Sequence, residues 1–378
     1  RGAPSASSER ATRGGERPVS RESEDDCEAR GTCTVAEMVR RYAEDETVVV
    51  TFGNSRQQHF TANWVYHLQR LNVGGLLVGM MNMAAAETEF VKFARVMRAR
   101  GVGCYVVNSP EVKMQPQGGR WFHVLPLLRT GARVLLSDSD VAWLRDPRPY
   151  LRALEISHPK VDFAVSSDAQ HMSDRRRLSL STKTPASESA GASTVEAAAT
   201  ALLRDRSELD IEDFGHCHES MNIGVMFFPR GARRGTLEAL EQATAHLSSE
   251  GNLRRVDQGP INYRWKFGAK AFKWHKPLHR VQDDSGRRLC GLVNGSVVGA
   301  VLPSAQFCNT LTHSVLRLWK AAGVQPYALH AVYMRRQEED WKVMRLREQQ
   351  VWLDAHAWYG NLTLRDRVGD RAGDRLGG

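Results

Sequence analysis

In "RVLLSDSDVAWLRDPRPYL", residues 133–151, Asp138 and Asp140 stand one residue apart, directly after the apolar run Val134, Leu135 and Leu136. Two carboxylates at i and i+2, just beyond a strand, can both address one cation. Hard divalent ions take oxygen ligands, and Mg²⁺ or Mn²⁺ is held between one or two carboxylates and the phosphates of a substrate. Such an ion offsets the repulsion between the aspartates and stabilises a departing diphosphate as a Lewis acid. The pattern therefore reads as a metal–diphosphate clamp. An aspartate-nucleophile phosphatase uses a similar strand-then-DxD opening, with a later lysine and an acidic pair. Here three strand–helix units precede the motif, and Asp283-Asp284 falls in a polar turn rather than after a strand. A helix cap is the simplest alternative. It suits Asp146, ahead of Pro147, and leaves Asp138 unexplained.

The elements that must position these residues follow from periodicity. "TVVVTF" at 47–52 is a β-branched strand, and Phe60, Trp64, Leu68 and Leu71 then recur at helical spacing. "GGLLVGM" is a second strand and "ETEFVKFARVMRAR" a second helix; "GCYVV" is a third strand, followed by the helix-like "RWFHVLPLLRT" and by "RVLLS", the fourth strand. This alternation predicts a parallel sheet wound with helices, whose ligands bind at the carboxyl ends of the strands, where Asp138 and Asp140 lie. Further along, "VDFAVSSD" and "MNIGVMFF" read as strands and 237–248 as a helix. "VVGAVLP", "LTHSVLRLWKAAG" and "PYALHAVY" read as strand, helix, strand, and "WKVMRLREQQVWL" closes the ordered part.

Residues 1–46, rich in Arg, Glu, Ser and Gly, predict a disordered stem. A body spanning 47–365 follows, with a surface insertion at 173–210, and 366–378 form a flexible tail. The 378 residues are 42% apolar, ample for a large core, and the +9 net charge sits in the body, which suits an anionic ligand. The basic stretch 254–288, interleaved with Tyr263, Trp265, Phe272 and Trp274, could be imagined as a single-strand nucleic-acid platform. It carries no nucleic-acid module, so no nucleic-acid partner is expected. The six cysteines show no CxxC pair and no zinc spacing. Cys27 and Cys33 are close enough for a short-loop disulfide, and the remaining four read as buried free thiols. Sequons at Asn294 and Asn361 point weakly to a secretory lumen. No apolar span long enough to cross a membrane occurs, so contact with a membrane is expected only through an N-terminal anchor outside this chain.

"NWVYHLQRLNVGGLLVGMM", the Asp138–Asp140 stretch, "AVSSD", "MNIGVMFF", "DQGPIN", "VLPSAQFCN", "QPYALHAVY" and "KVMRLREQQVWLD" occur in an order that resembles the nucleotide-diphospho-sugar transferases of plants and green algae, glycosyltransferase family 77. The resemblance spans residues 47–358. Its C-terminal block is most similar to the hydroxyproline-O-arabinosyltransferases, with the xylosyltransferase branch as the nearer rival. It implies a GT-A type, Rossmann-like α/β fold with a mostly parallel sheet flanked by helices in a single catalytic domain. It also implies a type II Golgi anchor, Mn²⁺ (or Mg²⁺) dependence and retention of anomeric configuration. The implied donor is a UDP-sugar carrying a pentose, and the acceptor a glycan or glycoprotein.

Carried over by position, the resemblance makes Asp138 and Asp140 the metal and diphosphate ligands and His330 the late histidine that completes the metal site. It places Lys342 and Arg345 near the diphosphate, and Gly53 and Asn54 at the start of the nucleotide pocket. Glycosyl transfer passes through an oxocarbenium-like transition state, so an acidic or amide oxygen is needed near the anomeric carbon. Asp168 and the Asp257-Gln258 pair are the candidates, the latter matching the family's "DQ". Asn222 and Gly224 resemble the family's N-x-G strand, in which Gly224 would let substrate approach the backbone. "MRRQEEDWK" and "FCNTLTH" lack glycines usual in the family, which leaves room for a sugar-nucleotide-binding relative without catalysis.

Overall fold

The computed structural model describes residues 27–28, 32–54, 57–81, 88–107, 120–172, 211–212, 214–218, 221–248, 258, 262, 279–282, 288–292, 296–332 and 338–353. Asp257, the 173–210 insertion, Asp283-Asp284, both sequon asparagines and the 366–378 tail lie outside the described residues.

In chain order the elements are α1 (Val35–Tyr42), β1 (Thr47–Gly53), α2 (Gln58–Arg70), β2 (Leu76–Met81), α3 (Thr88–Ala99), β3 (Gly103–Val107), α4 (Trp121–Arg129), β4 (Arg133–Ser137), β5 (Val141–Trp143), α5 (Arg148–Ser157), β6 (Phe163–Ser167), β7 (Met221–Phe228) and α6 (Arg234–Ser248). They continue with β8 (His279–Gln282), β9 (Arg288–Leu292), β10 (Val297–Val301), β11 (Phe307–Asn309), α7 (Leu318–Ala322), β12 (Ala328–His330) and α8 (Glu338–Glu348).

Nine strands form the main sheet in the order β3-β2-β1-β4-β7-β6-β10-β9-β8. Strand alternation explains why both faces are apolar. Val48 and Val50 of β1 and Val134 and Leu136 of β4 face one core with α1, α4 and α6. Val49 and Leu135 face the other, with Trp64 and Leu68 of α2, Phe90 and Met97 of α3 and Tyr150 of α5. The fold is thus α/β, a large central sheet flanked by helices. Strands β3, β2, β1 and β4 are mutually parallel, as the alternating pattern predicts. Beyond them the sheet turns mixed: β7 is antiparallel to β4 and β6, β10 is parallel to β6, and β9 and β8 are antiparallel. Segments 283–287 and 293–296 are too short for the crossover a parallel pair requires, so β8, β9 and β10 meander.

A second, three-stranded sheet, β11-β12-β5, carries part of the site. Leu346 of α8 packs over it with Phe60, Ala142, Leu329 and Ala331. The chain after α8 is gripped by α2: Asn63 Nδ2 donates to Val351 O at 3.3 Å, His67 Nε2 lies 2.7 Å from the same oxygen, and Leu353 N donates to Asn63 Oδ1 at 2.7 Å. Among the described residues no helix is long and apolar enough to cross a membrane.

Three sequence expectations need correction. Order begins before residue 46: α1 opens on a capping box between Thr34 and Glu37, and buries Met38 and Val39. A short amphipathic helix sits there in a polar stretch whose composition masks it. Besides the expected Cys27–Cys33 bridge, Cys217 and Cys290 form a second disulfide, leaving Cys104 and Cys308 as the buried free thiols. Sequence spacing could not pair two cysteines 73 residues apart. The helix expected at 311–323 is broken: Leu311–Val315 form a π-type turn, and Arg317 adopts φ 50° before α7. Trp319 Nε1 donates to His313 O at 3.1 Å and its ring stacks on His313, which holds the chain folded back there.

Candidate active site

β4 ends at Ser137, whose Oγ accepts a hydrogen bond from Trp64 Nε1 at 3.1 Å. Asp138 N donates to Gly224 O at 2.8 Å, extending the β4–β7 ladder by one residue. The chain then turns, with Val141 N donating to Asp138 O at 3.2 Å, and enters β5. β5 pairs antiparallel with β12, so Val141 faces His330, and Ala331 N donates to Asp140 O at 3.2 Å. This pairing brings a histidine 190 positions downstream beside the aspartates.

His330 Nε2 lies 3.2 Å from Asp140 Oδ1 and 3.7 Å from Asp138 Oδ2. One ligand atom from each of the three residues falls within 4.8 Å of the others. α8 brings Lys342 Nζ to 2.6 Å from Asp140 Oδ2. Arg120, at the start of α4, donates from Nη1 to Asp138 Oδ1. Burial pushes the Asp140 carboxyl up, but the His330 imidazole and the Lys342 ammonium outweigh it and hold the group well below the usual carboxylate range. Burial pushes His330 down, but Asp140 and then Asp138 lift it above its ordinary value. A metal ion bound there would compete with a proton for that imidazole. The donors, two carboxylate oxygens and one ring nitrogen, suit a divalent cation such as Mn²⁺ or Mg²⁺. The buried Nδ1 of His330 has no hydrogen-bond partner among the described residues.

Asp168 lies just past β6. Its Oδ1 accepts from Asn222 Nδ2 and its Oδ2 from Gln258 Nε2, each at 2.7 Å. Asn262 splints Gln258 to β7, donating to Gln258 O at 2.9 Å and exchanging 2.8 Å hydrogen bonds with both backbone groups of Met221. Asn222 reaches both ways, its Oδ1 accepting from Gly224 N at 2.9 Å. These contacts sit where β6 and β7 slip register: Val165 pairs with Met226, but Ser166 pairs with Asn222. Such irregularities re-aim side chains at a strand end. Ser166, Ser167, Asn222, Asn309 and His330 line one narrow cleft beside this point.

The structure therefore brings together Asp138, Asp140, His330 and Lys342, and links Asp168 with Gln258 and Asn222. Gly53 closes β1 at the same edge, where an added Cβ would stand 2.7 Å from Thr61 Oγ1. Asn54 turns the chain into α2, its Oδ1 accepting from Gln57 N at 3.1 Å. Arg345 pairs with Glu348 on α8, Nη1 to Oε2 at 2.5 Å, rather than with the aspartates. Asp146 supports the start of α5 by accepting from Arg148 N at 2.9 Å. The space a side chain at Gly224 would fill holds the His330 ring. Arg120 and Asn262 escaped the sequence reading. Arg120 stands in no motif, whereas Asn262, four residues after Gln258 in "DQGPIN", was legible as a helical-spaced partner.

The profile of the nucleotide-diphospho-sugar transferase family matches residues 118–346. Arabinosyltransferase XEG113 of Arabidopsis thaliana is 25% identical over 335 residues, 85% of this chain; the chain spans 42% of that protein's length. Among solved structures, galactosyltransferase LgtC, determined with donor and acceptor sugar analogues, aligns over 83% of this chain and 99% of its own, at 11% identity and a TM-score of 0.43. Glycosyltransferase GlyE of Streptococcus pneumoniae aligns over 85% of this chain and 64% of its own, at 12% identity and a TM-score of 0.44.

Proposed function

Since this chain belongs to the nucleotide-diphospho-sugar transferase family, we propose that it is a metal-dependent, retaining glycosyltransferase moving a pentose, L-arabinofuranose, from a UDP-sugar to a glycan on hydroxyproline-rich cell-wall glycoprotein. The observation that carries the chemistry is the convergence of Asp138 and Asp140 of the β4–β5 turn with His330 of β12 at the carboxyl edge of the sheet. The sugar rests on the likeness to an Arabidopsis arabinosyltransferase.

In this reading Asp138, Asp140 and His330 hold Mn²⁺, with Mg²⁺ as the alternative. The ion would supply charge neutralisation on the departing diphosphate. Lys342, already against Asp140, would share its ammonium with a phosphate oxygen, adding fixed positive charge where negative charge develops. Arg120 keeps the Asp138 carboxylate in one orientation. Asp168, fixed by two amide donors, would meet developing positive charge on the sugar ring. Gln258, whose amide nitrogen is committed to Asp168, would present its oxygen or act through Asp168. Gly53 and Asn54 would border the nucleotide, and Arg345 would reach the diphosphate only by leaving Glu348. Asp257 would act beside Gln258. Two disulfides fit folding in an oxidising secretory lumen, and the Golgi lumen would be the place of action.

The test is UDP release from a panel of UDP-sugars with Mn²⁺ or EDTA, for wild type and Asp140→Ala. Metal-dependent release from UDP-arabinofuranose, reduced about 100-fold or more in the variant (roughly 3 kcal/mol), is expected. Preference for UDP-xylose would move the donor to the rival branch. No turnover with UDP still bound would make the chain a sugar-nucleotide binder, and no turnover with no UDP binding would refute the transferase reading.

A further inference from the structure

The irregular stretch of β7 does more than interrupt a ladder. A Cβ built on Gly224 would lie 2.0 Å from Cε1, 2.5 Å from Nδ1 and 2.8 Å from Nε2 of His330. All three nearest atoms belong to one ring, which is clasped between the Gly224 backbone and the two carboxylates. The ring cannot easily give way. Its backbone is pinned by the β5–β12 ladder and by Thr310 Oγ1, which donates to His330 O at 3.3 Å. Asp140 Oδ1 stands 3.2 Å from Nε2, and the other oxygen of that carboxylate is held by Lys342. Nor can Gly224 retreat: its N–H is bound to Asn222 Oδ1 and its carbonyl to Asp138 N.

We infer that Gly224 is a positioning residue for the metal site: its missing side chain seats the His330 ring against Asp138 and Asp140. This rests on the metal reading above. The same three-residue run also holds Asp168 through Asn222, so Asn222 and Gly224 set the spacing between the metal cluster and the sugar-facing carboxylate. A single methyl at 224 must push the ring by more than about 1 Å to reach ordinary contact distance. Metal–ligand distances tolerate only about 0.2 Å. Gly224→Ala should therefore weaken metal binding about 10- to 100-fold, the range seen when a ligand's support is disturbed.

The experiment uses four proteins: wild type, Gly224→Ala, His330→Ala and the double variant. Thermal melts in EDTA read the steric seat alone. Gly224→Ala is expected to lower Tm in the wild-type background and to change it little when His330 is already alanine. Mn²⁺ alone is then titrated and followed by the electron paramagnetic resonance signal of the free ion. Gly224→Ala should bind at least tenfold more weakly than wild type, and the double variant no more weakly than His330→Ala. Equal Tm losses in both backgrounds, or wild-type Mn²⁺ affinity in folded Gly224→Ala, would overturn the inference. If Gly224→Ala does not fold, a folded double variant supports the seat, and an unfolded one overturns it. A wild type that binds no Mn²⁺ while the Tm effects stay non-additive would sink the metal reading and leave the seat standing.

Discussion

At the scale of single residues, the paired aspartates are stable because three cationic or cation-capable groups face them: Arg120 on Asp138, Lys342 on Asp140, and His330 between the two. Like charges so close are otherwise costly. The carboxylates and His330 could be read from sequence, because a strand running into DxD is a local pattern and "LHAVY" carries a resemblance. Arg120 could not, because its role depends on where the amino end of α4 lands relative to β4. Asp168 depends on another such arrangement. Removing Asn222 Nδ2 deprives the carboxylate of one of two amide donors, a hydrogen bond to a charged group worth about 1.5–3 kcal/mol. Asn222→Ala should lower kcat about 10- to 100-fold with little change in the UDP dissociation constant, which steady-state kinetics and UDP titration would check.

At the scale of elements, the long alternating units were legible: β1 to β4 and their helices follow from β-branched runs and helical spacing. Of the small sheet, β12 was read within "PYALHAVY", but β5 and β11 were not. β5 and β11 have three residues each, too few for any periodicity, and only β5–β12 pairing places the imidazole. α8, which delivers Lys342, has a largely polar sequence and depends on its anchors: Leu346 over the small sheet, and Asn63 and His67 on the chain that follows. Asn63→Ala removes the partner of Leu353 N and one donor to Val351 O. It should cost about 1–3 kcal/mol of stability and raise amide hydrogen exchange in α8 more than in β1. Uniform exchange across both elements would show that α8 is held by other contacts.

At the scale of the whole molecule, acid should loosen the fold before it titrates most carboxylates. Burial depresses His123 to about 4, and also depresses His67 and His313. Each has a folded value below the unfolded value of about 6.5, so the unfolded chain binds more protons between them. Their stabilisation is present above about 6.5 and lost as pH falls through each folded value, which for His123 is about 4. His330 runs the other way: its folded value is raised, so its contribution is present below about 6.5 and lost as pH rises through the folded value. Among the described residues His330 and Asp162, whose carboxyl is also raised, oppose the three depressed histidines; Tm measured in EDTA should fall between pH 7 and 4.5, less steeply in His123→Gln.

The β5–β12 pairing also gives the site a history. Asp140 leaves the ribosome 190 residues before His330, an interval of about 10–40 s at ordinary elongation rates. Lys342 follows later still. Arg120 alone among the three cationic partners precedes the aspartates in the chain. Of the three, it is the counter-charge already in the chain when Asp138 and Asp140 are synthesised.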